Sequence, residues 1–135
     1  MTNPIYEPKG RAKEYCDLAV NIYTGCNHGC YYCYARKMAE RYTSKDCICG
    51  FNDPKPRPDI VKSVKRQLAK GKIKGRTIQL CFSCDPYPAE IDTMPTREVI
   101  EAIKNSGNHV QILTKGGNRA LRDFDLLDCG DWFGI

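Results

Sequence analysis

Short apolar runs separated by helical stretches constrain this chain more than any other feature. Leu18 to Tyr23 (LAVNIY), Thr77 to Phe82 (TIQLCF) and His109 to Leu113 are β-branched and apolar, and read as strands. Ala35, Met38, Ala39 and Tyr42 recur at helical spacing between about Cys33 and Tyr42. Ile60, Val64 and Leu68, with Val61 beside them, mark one face of a second helix. Val99, Ile100 and Ile103 line a third, Thr96 to Asn105, stopped by Gly107. Arg119 to Leu127 reads as a fourth, and Trp132 to Ile135 begins another apolar run. Residues 1–17 read as an irregular lead-in, and Cys47 to Arg57 and Ser83 to Pro95 as loops. Strands alternating with helices predict right-handed crossovers and an α/β fold with a parallel sheet. Ligands of such sheets sit beyond the carboxyl ends of the strands. The loops after Tyr23, Phe82 and Leu113 all leave from that edge and are expected to converge on one site.

The 135 residues, 41% hydrophobic and 27% charged, suffice for one globular core. No apolar run approaches the roughly 20 residues that cross a bilayer. Met1 to Arg11 carries prolines and charges instead of an apolar leader, so a cytoplasmic location without a membrane partner is expected. Nine cysteines are many for such a chain, and the odd count argues against a disulfide framework. Metal binding or redox chemistry is the better expectation.

Three of those thiols fall within eight residues, in G-C-N-H-G-C-Y-Y-C-Y from Gly25 to Tyr34. Cys26, Cys30 and Cys33 have C-x3-C-x2-C spacing on the loop after the first strand. Three thiolates can hold three irons of a cubane [4Fe–4S] cluster and leave the fourth iron open. A structural zinc site would instead draw four ligands from two separated pairs. His28, inside the loop, is expected to face solvent.

This cysteine spacing resembles the signature of the radical S-adenosylmethionine superfamily. N-I-Y-T-G-C-N-H-G-C-Y-Y-C-Y-A-R, S-C-D-P-Y-P-A-E, T-K-G-G and R-D-F-D-L-L together resemble its spore photoproduct lyase-like (DNA repair photolyase-like) branch. The resemblance covers nearly everything from Asp17 onward. It implies a parallel-sheet partial (β/α) barrel over residues 18–135, with about the first half of the six βα units present. It also implies a [4Fe–4S] cluster whose open iron binds S-adenosylmethionine and cleaves it reductively to a 5′-deoxyadenosyl radical that abstracts hydrogen from a substrate. Asp85, beside Ser83, would contact the methionine end of the cofactor. Lys115 would meet its carboxylate or ribose, and Tyr32 would approach the adenine. Glu90 is a weaker candidate. A low-potential flavodoxin- or ferredoxin-like protein would donate the electron.

Two departures qualify that picture. Phe82 stands where spore photoproduct lyase has its hydrogen-donating cysteine, which argues against that repair reaction. Cys84 is a candidate radical-quenching thiol, and Cys81, one residue from Phe82, is expected on the opposite face of the strand. The chain also stops at Trp132-Phe133-Gly134-Ile135, where a fourth parallel strand should run. A fragment, or a barrel completed by another chain, is expected. The alternative reading is a truncated, non-catalytic iron–sulfur or zinc-binding module.

The remaining cysteines carry weaker signals. Cys47 and Cys49 form a C-x-C pair that could join Cys81 and Cys84 in a four-thiolate site, while Cys16 and Cys129 read as isolated structural thiols. Between Lys55 and Arg76 there are nine basic residues and one acid, Asp59, within a chain of net charge +5. Lys62, Lys65, Arg66 and Lys70 lie on the outer side of the second helix, as a solvated face or a surface for nucleic-acid phosphates.

Overall fold

The computed structural model describes residues 3–42 and 51–135. Its centre is a five-stranded sheet built from β1 (Ile5–Tyr6), β2 (Leu18–Val20), β5 (Thr77–Leu80), β6 (His109–Leu113) and β7 (Trp132–Gly134), in that spatial order. β1 runs antiparallel to β2, and every later neighbour is parallel. Two further short strands, β3 (Tyr23–Thr24) and β4 (Lys55–Pro56), pair antiparallel apart from the sheet. The helices are α1 (Tyr34–Tyr42), α2 (Ile60–Ala69) and α3 (Met94–Asn105). The fold is therefore mixed α/β with a mostly parallel sheet, as the alternation of runs predicts.

Register explains which face is the core. Leu18, Ile78 and Val110 are partners across the sheet, as are Val20, Leu80, Ile112 and Phe133. The first six of these are buried and cluster with Ile60, Val64 and Leu68 of α2 and Val99, Ile100 and Ile103 of α3. Each fully buried aliphatic side chain contributes about 1.5–3 kcal/mol of transfer free energy. The alternate row, Ala19, Gln79, Gln111 and Trp132, points the other way, and Trp132 is 71% exposed.

Several elements differ from the sequence reading. The lead-in is not irregular throughout: Ile5 is buried, its strand pairs with β2, and a 3-10 turn follows at Gly10–Glu14. Gln67 secures that edge by bonding both the amide and the carbonyl of Ile5, at 2.8 Å each. The first predicted strand is interrupted, because Asn21 turns outward to bind the β5 loop and Tyr23–Thr24 leaves to pair with β4. β5 ends at Leu80, not Phe82. Cys81 adopts φ +63°, so strand alternation no longer decides where its side chain points. α3 begins at Met94, where Asp92 accepts the Met94 N–H and Pro95 occupies a first-turn position that needs no donor. The predicted fourth helix is a 3-10 helix, Gly117–Leu126. Cys47 and Cys49, and with them the proposed four-thiolate site, lie outside the described residues. No helix among the described residues is long and apolar enough to cross a membrane.

Candidate functional site

The cysteine loop begins where Gly25, at φ +88°, turns the chain away from β3. The Cys26 N–H is held by the Phe51 carbonyl at 2.7 Å. Gly29 adopts φ +65°, and the Cys33 N–H returns to the Cys30 carbonyl at 3.2 Å. Cys33 immediately precedes α1, and its sulfur accepts the Arg36 N–H at 3.5 Å, one of the donors a helix start leaves unpaired. Hydrogen bonds to a ligating sulfur are among the levers that tune an iron–sulfur cluster.

All three thiols are partly buried. Burial pushes the Cys26 thiol up, against a hydrogen bond from the His28 backbone, and Asp85, Cys33 and Cys30 push it further the same way. These negative groups thus sit close enough to oppose one another's ionisation, and a bound cationic centre would relieve that opposition.

The loops after β5 and β6 close onto this one. Asn27 pairs with the backbone of Ala89, its Nδ2 donating at 2.7 Å and its Oδ1 accepting at 3.1 Å. Asp85 is buried and fully engaged. Its Oδ1 accepts the Tyr87 N–H at 2.8 Å and the Thr114 hydroxyl, and its Oδ2 accepts the Lys115 N–H at 2.8 Å. The Thr114 hydroxyl oxygen in turn accepts the Gly116 N–H at 2.8 Å.

His28 completes the junction. Its Nδ1 lies 3.1 Å from Asp85 Oδ2, out of line for a hydrogen bond, and its Nε2 meets Arg119 Nη2 at 2.8 Å. A guanidinium only donates, so Nε2 accepts, and Nδ1 lies beside Asp85 without a hydrogen bond to it. The expectation that His28 faces solvent is therefore wrong: its side chain is 10% exposed, trapped between two charged partners.

The predicted cofactor contacts fall along this junction in different ways. The exposed Tyr32 ring carries the Lys115 ammonium over its face at 5.6 Å, and the Tyr32 side chain holds that ammonium above its ordinary value, against desolvation, which lowers it. Ser83 gives its N–H to Asn21, at 3.1 Å. Asp85, read as a cofactor contact, spends its acceptors on the protein and acts as a tie between loops. Glu90 is exposed at φ +63° and makes none of these contacts. The sequence reading missed His28, Asn21, Thr114 and Arg119. His28 could have been flagged by its place between two of the cysteines, but the others carry no local signal.

Beneath the junction lies a rigid base. Tyr87 is buried and its hydroxyl donates to Asp123 at 2.8 Å. Asp123, also buried, is gripped by Arg97 at 3.1 Å and Arg122 at 2.9 Å. Burial alone would push the Asp123 carboxyl up, but its bonds from Arg122, Tyr87 and Arg97 outweigh that and hold it below its ordinary value. The Tyr23 hydroxyl, paired with Thr96 at 2.8 Å, is pushed up to about 12 chiefly by burial.

His109, Asp128 and Asp131 place ligand atoms within 4.8 Å of one another at the opposite, amino-terminal edge of the sheet. Lys104 already supplies a cation there, 2.8 Å from Asp128 and 2.6 Å from Asp131. That trio is better described as a salt-bridged corner.

Comparison with known proteins places the chain among relatives named only as uncharacterized. It is 33% identical over 109 residues to the uncharacterized protein MJ0683 of Methanocaldococcus jannaschii, a match covering 80% of this chain and 38% of that protein. It is 30% identical over 109 residues to the uncharacterized proteins Rv2578c of Mycobacterium tuberculosis and Mb2609c of Mycobacterium bovis, covering 80% of this chain and 32% of each. The chain thus spans about a third of the length of these relatives. No solved structure matches it. The family model described as "Protein of unknown function (DUF5131)" matches residues 11–128, and the chain belongs to that family.

Proposed function

We propose that this chain is the amino-terminal part of a radical S-adenosylmethionine protein of the spore photoproduct lyase-like branch, in which Cys26, Cys30 and Cys33 hold a [4Fe–4S] cluster. One observation carries the reading. The loop offers three partly buried thiols, and its single imidazole, His28, is turned to the Asp85 and Arg119 side, with Nε2 bonded to Arg119 and Nδ1 3.1 Å from Asp85. Three soft ligands without a fourth suit a cubane with one open iron better than a closed zinc site.

When bound, the cluster would supply the electron that splits S-adenosylmethionine into methionine and a 5′-deoxyadenosyl radical. The chain's own residues would bind and orient the cofactor. Lys115 presents an exposed ammonium beside Tyr32, suited to a carboxylate with an aromatic face next to it. Asp85 would position both by fixing the Lys115 backbone, and Ser83 lies on the same edge of the sheet. Phe82 makes repair of the spore photoproduct an unsuitable assignment, so the hydrogen-donating substrate is a different one.

The strand order supports a partial barrel. Within the five-stranded sheet β2, β5, β6 and β7 follow one another in chain order as well as in space, β3 and β4 pairing apart from it, without the reversal that defines a doubly wound sheet. The outer face of α2, where Lys62, Lys65, Arg66 and Lys70 are exposed, is suited to nucleic-acid phosphates. A flavodoxin- or ferredoxin-like donor would serve as the electron source.

The test is anaerobic reconstitution with iron and sulfide. The expected product binds about four irons per chain, and with dithionite and S-adenosylmethionine it yields 5′-deoxyadenosine. Cys30→Ala abolishes both. Protein that takes up zinc in preference to iron, or forms no cluster, overturns the proposal. Iron loading without 5′-deoxyadenosine would leave an iron–sulfur module without turnover.

A further inference from the structure

The outer two thiols of the cysteine loop are fixed in different ways. Cys33 sits immediately before α1, and its sulfur accepts the Arg36 N–H at 3.5 Å, the place an N-cap oxygen usually fills. Cys26, at the other end of the loop, gives its N–H to the Phe51 carbonyl at 2.7 Å. The separation of these thiols therefore depends on how residues 51–52 sit against α1.

Arg36 makes that connection with its side chain. Its Nη2 donates to Asn52 Oδ1 at 2.6 Å, and its guanidinium carbon lies 5.8 Å from the centre of the Phe51 ring. One residue thus bonds the Cys33 sulfur through its backbone. Through its side chain it grips Asn52 and Phe51, the second of which holds Cys26.

Helix stability does not account for an arginine here. Arg36 lies in the first turn of α1, where the positive end of the helix dipole disfavours a cation, and no acid shares that turn. Its Nε is buried without a hydrogen-bond partner among the described residues. A surface arginine avoids that cost by reaching into water.

We infer that Arg36 is a positioning residue for the three-thiol site, clamping the segment that carries Cys26 to the helix that carries Cys33. The inference rests on the cluster reading and adds to it the residue that sets the loop before metal arrives. Ligands held in place beforehand lower the ordering cost that binding would otherwise carry. The clamp also steadies the N–H that bonds the Cys33 sulfur and brings a positive charge to the base of the loop. Both favour the reduced cluster, whose net charge is the more negative.

The test has one arm without metal. In the whole protein, treated with chelator and kept reduced, amide exchange is followed residue by residue by NMR. Arg36→Met and Asn52→Leu should each speed exchange of the Cys26 N–H roughly three- to tenfold, the worth of one hydrogen bond. The double variant should be no faster than either single one, because both break the same clamp. Amides of β5 and β6 should exchange as in the parent. Arg41→Met, which removes an equal charge from the last turn of α1, should leave the Cys26 N–H unchanged.

The second arm uses protein reconstituted anaerobically with iron and sulfide. The midpoint potential of the cluster should fall in Arg36→Met and in Asn52→Leu, which keeps the charge, and hold in Arg41→Met. Unchanged Cys26 exchange in Arg36→Met would overturn the inference, as would an equal acceleration throughout β5 and β6. So would a potential that moves in neither variant. A parent protein that forms no cluster overturns the cluster reading instead, and the metal-free arm still decides whether Arg36 holds the loop.

Discussion

Asp85 Oδ2 stands 3.1 Å from Nδ1 of His28, and this contact joins the cysteine loop to the end of the second parallel strand. Asp85 at the same time holds Tyr87, Thr114 and Lys115. One buried carboxylate therefore links all three loops at the carboxyl edge of the sheet.

Removing that tie should cost stability before it costs anything else. Asp85→Ala orphans two amides and a hydroxyl, at about 1–3 kcal/mol for each buried group left unpaired. Partial access of water reduces the total, and a loss of about 2–4 kcal/mol is expected in denaturant midpoints. A double-mutant cycle with His28→Ala should give a coupling of about 0.5–3 kcal/mol. His28→Ala should keep the iron content of reconstituted protein, because the imidazole ties loops together and does not serve as a ligand. Loss of iron in that variant would contradict the assignment.

The Asp123 hub predicts an acid limb to stability. Its carboxyl is held below the ordinary value, so the unfolded chain takes up a proton at a higher pH than the folded one. The contribution is complete above the ordinary carboxylate value of about 3.9 and is lost as pH falls through the depressed folded value. Asp123→Asn should flatten that limb. At neutral pH it should also cost stability, less than loss of a fully buried pair would, because Arg97 keeps Asp125 at 2.8 Å and Arg122 is partly exposed. Melting temperatures across pH 2.5 to 7, chosen as a range of about four units around that value, test both effects.

Gly116 sits where another backbone crosses. A Cβ there would stand 2.5 Å from the Tyr87 Cβ and 3.0 Å from the Tyr87 carbonyl oxygen. Neither atom is the free end of a side chain, so Gly116→Ala must displace the loop that carries Lys115. A cost of about 1–3 kcal/mol is expected. Gly117→Ala meets nothing within 4 Å but suffers at φ +56°, for about 1 kcal/mol. Chemical denaturation of the two variants should rank them in that order.

The basic face of α2 should bind nucleic acid in a salt-dependent way. Lys62, Lys65 and Lys70 are exposed, with no carboxylate within 4.0 Å among the described residues. Fluorescence anisotropy with a DNA duplex should show log affinity falling with log salt by about 0.9 for each phosphate neutralised. Changing these three lysines to Gln should lower that slope by about 2–3. An unchanged slope would remove α2 from the interface.

The parallel order of β2, β5 and β6 was legible because their apolar runs are short, β-branched and separated by amphipathic helices. α2 was legible because Ile60, Val64 and Leu68 recur at the helical period and all three are buried. Less legible were features that need a partner distant in sequence. Ile5 has no strand signal of its own and becomes one by pairing with Val20 and bonding Gln67. Cys81 belongs to an apolar run that reads as strand, yet the bend at φ +63° takes it out of the sheet. The 3-10 form of residues 117–126 is likewise not readable from their apolar spacing, which suits an α-helix equally.

Local chemistry alone determined the cysteine loop. Three thiols within eight residues after a strand are brought together by chain connectivity, with almost no loop-closure cost. Tertiary structure alone decided what surrounds them. His28 meets Asp85 across 57 residues and Arg119 across 91, and those encounters depend on parallel crossovers delivering three loops to one edge. A pattern of residue types encodes the period and the clustering of the thiols. It does not encode which buried acceptor a distant donor will find, because that is settled only when burial makes an unpaired polar group costly.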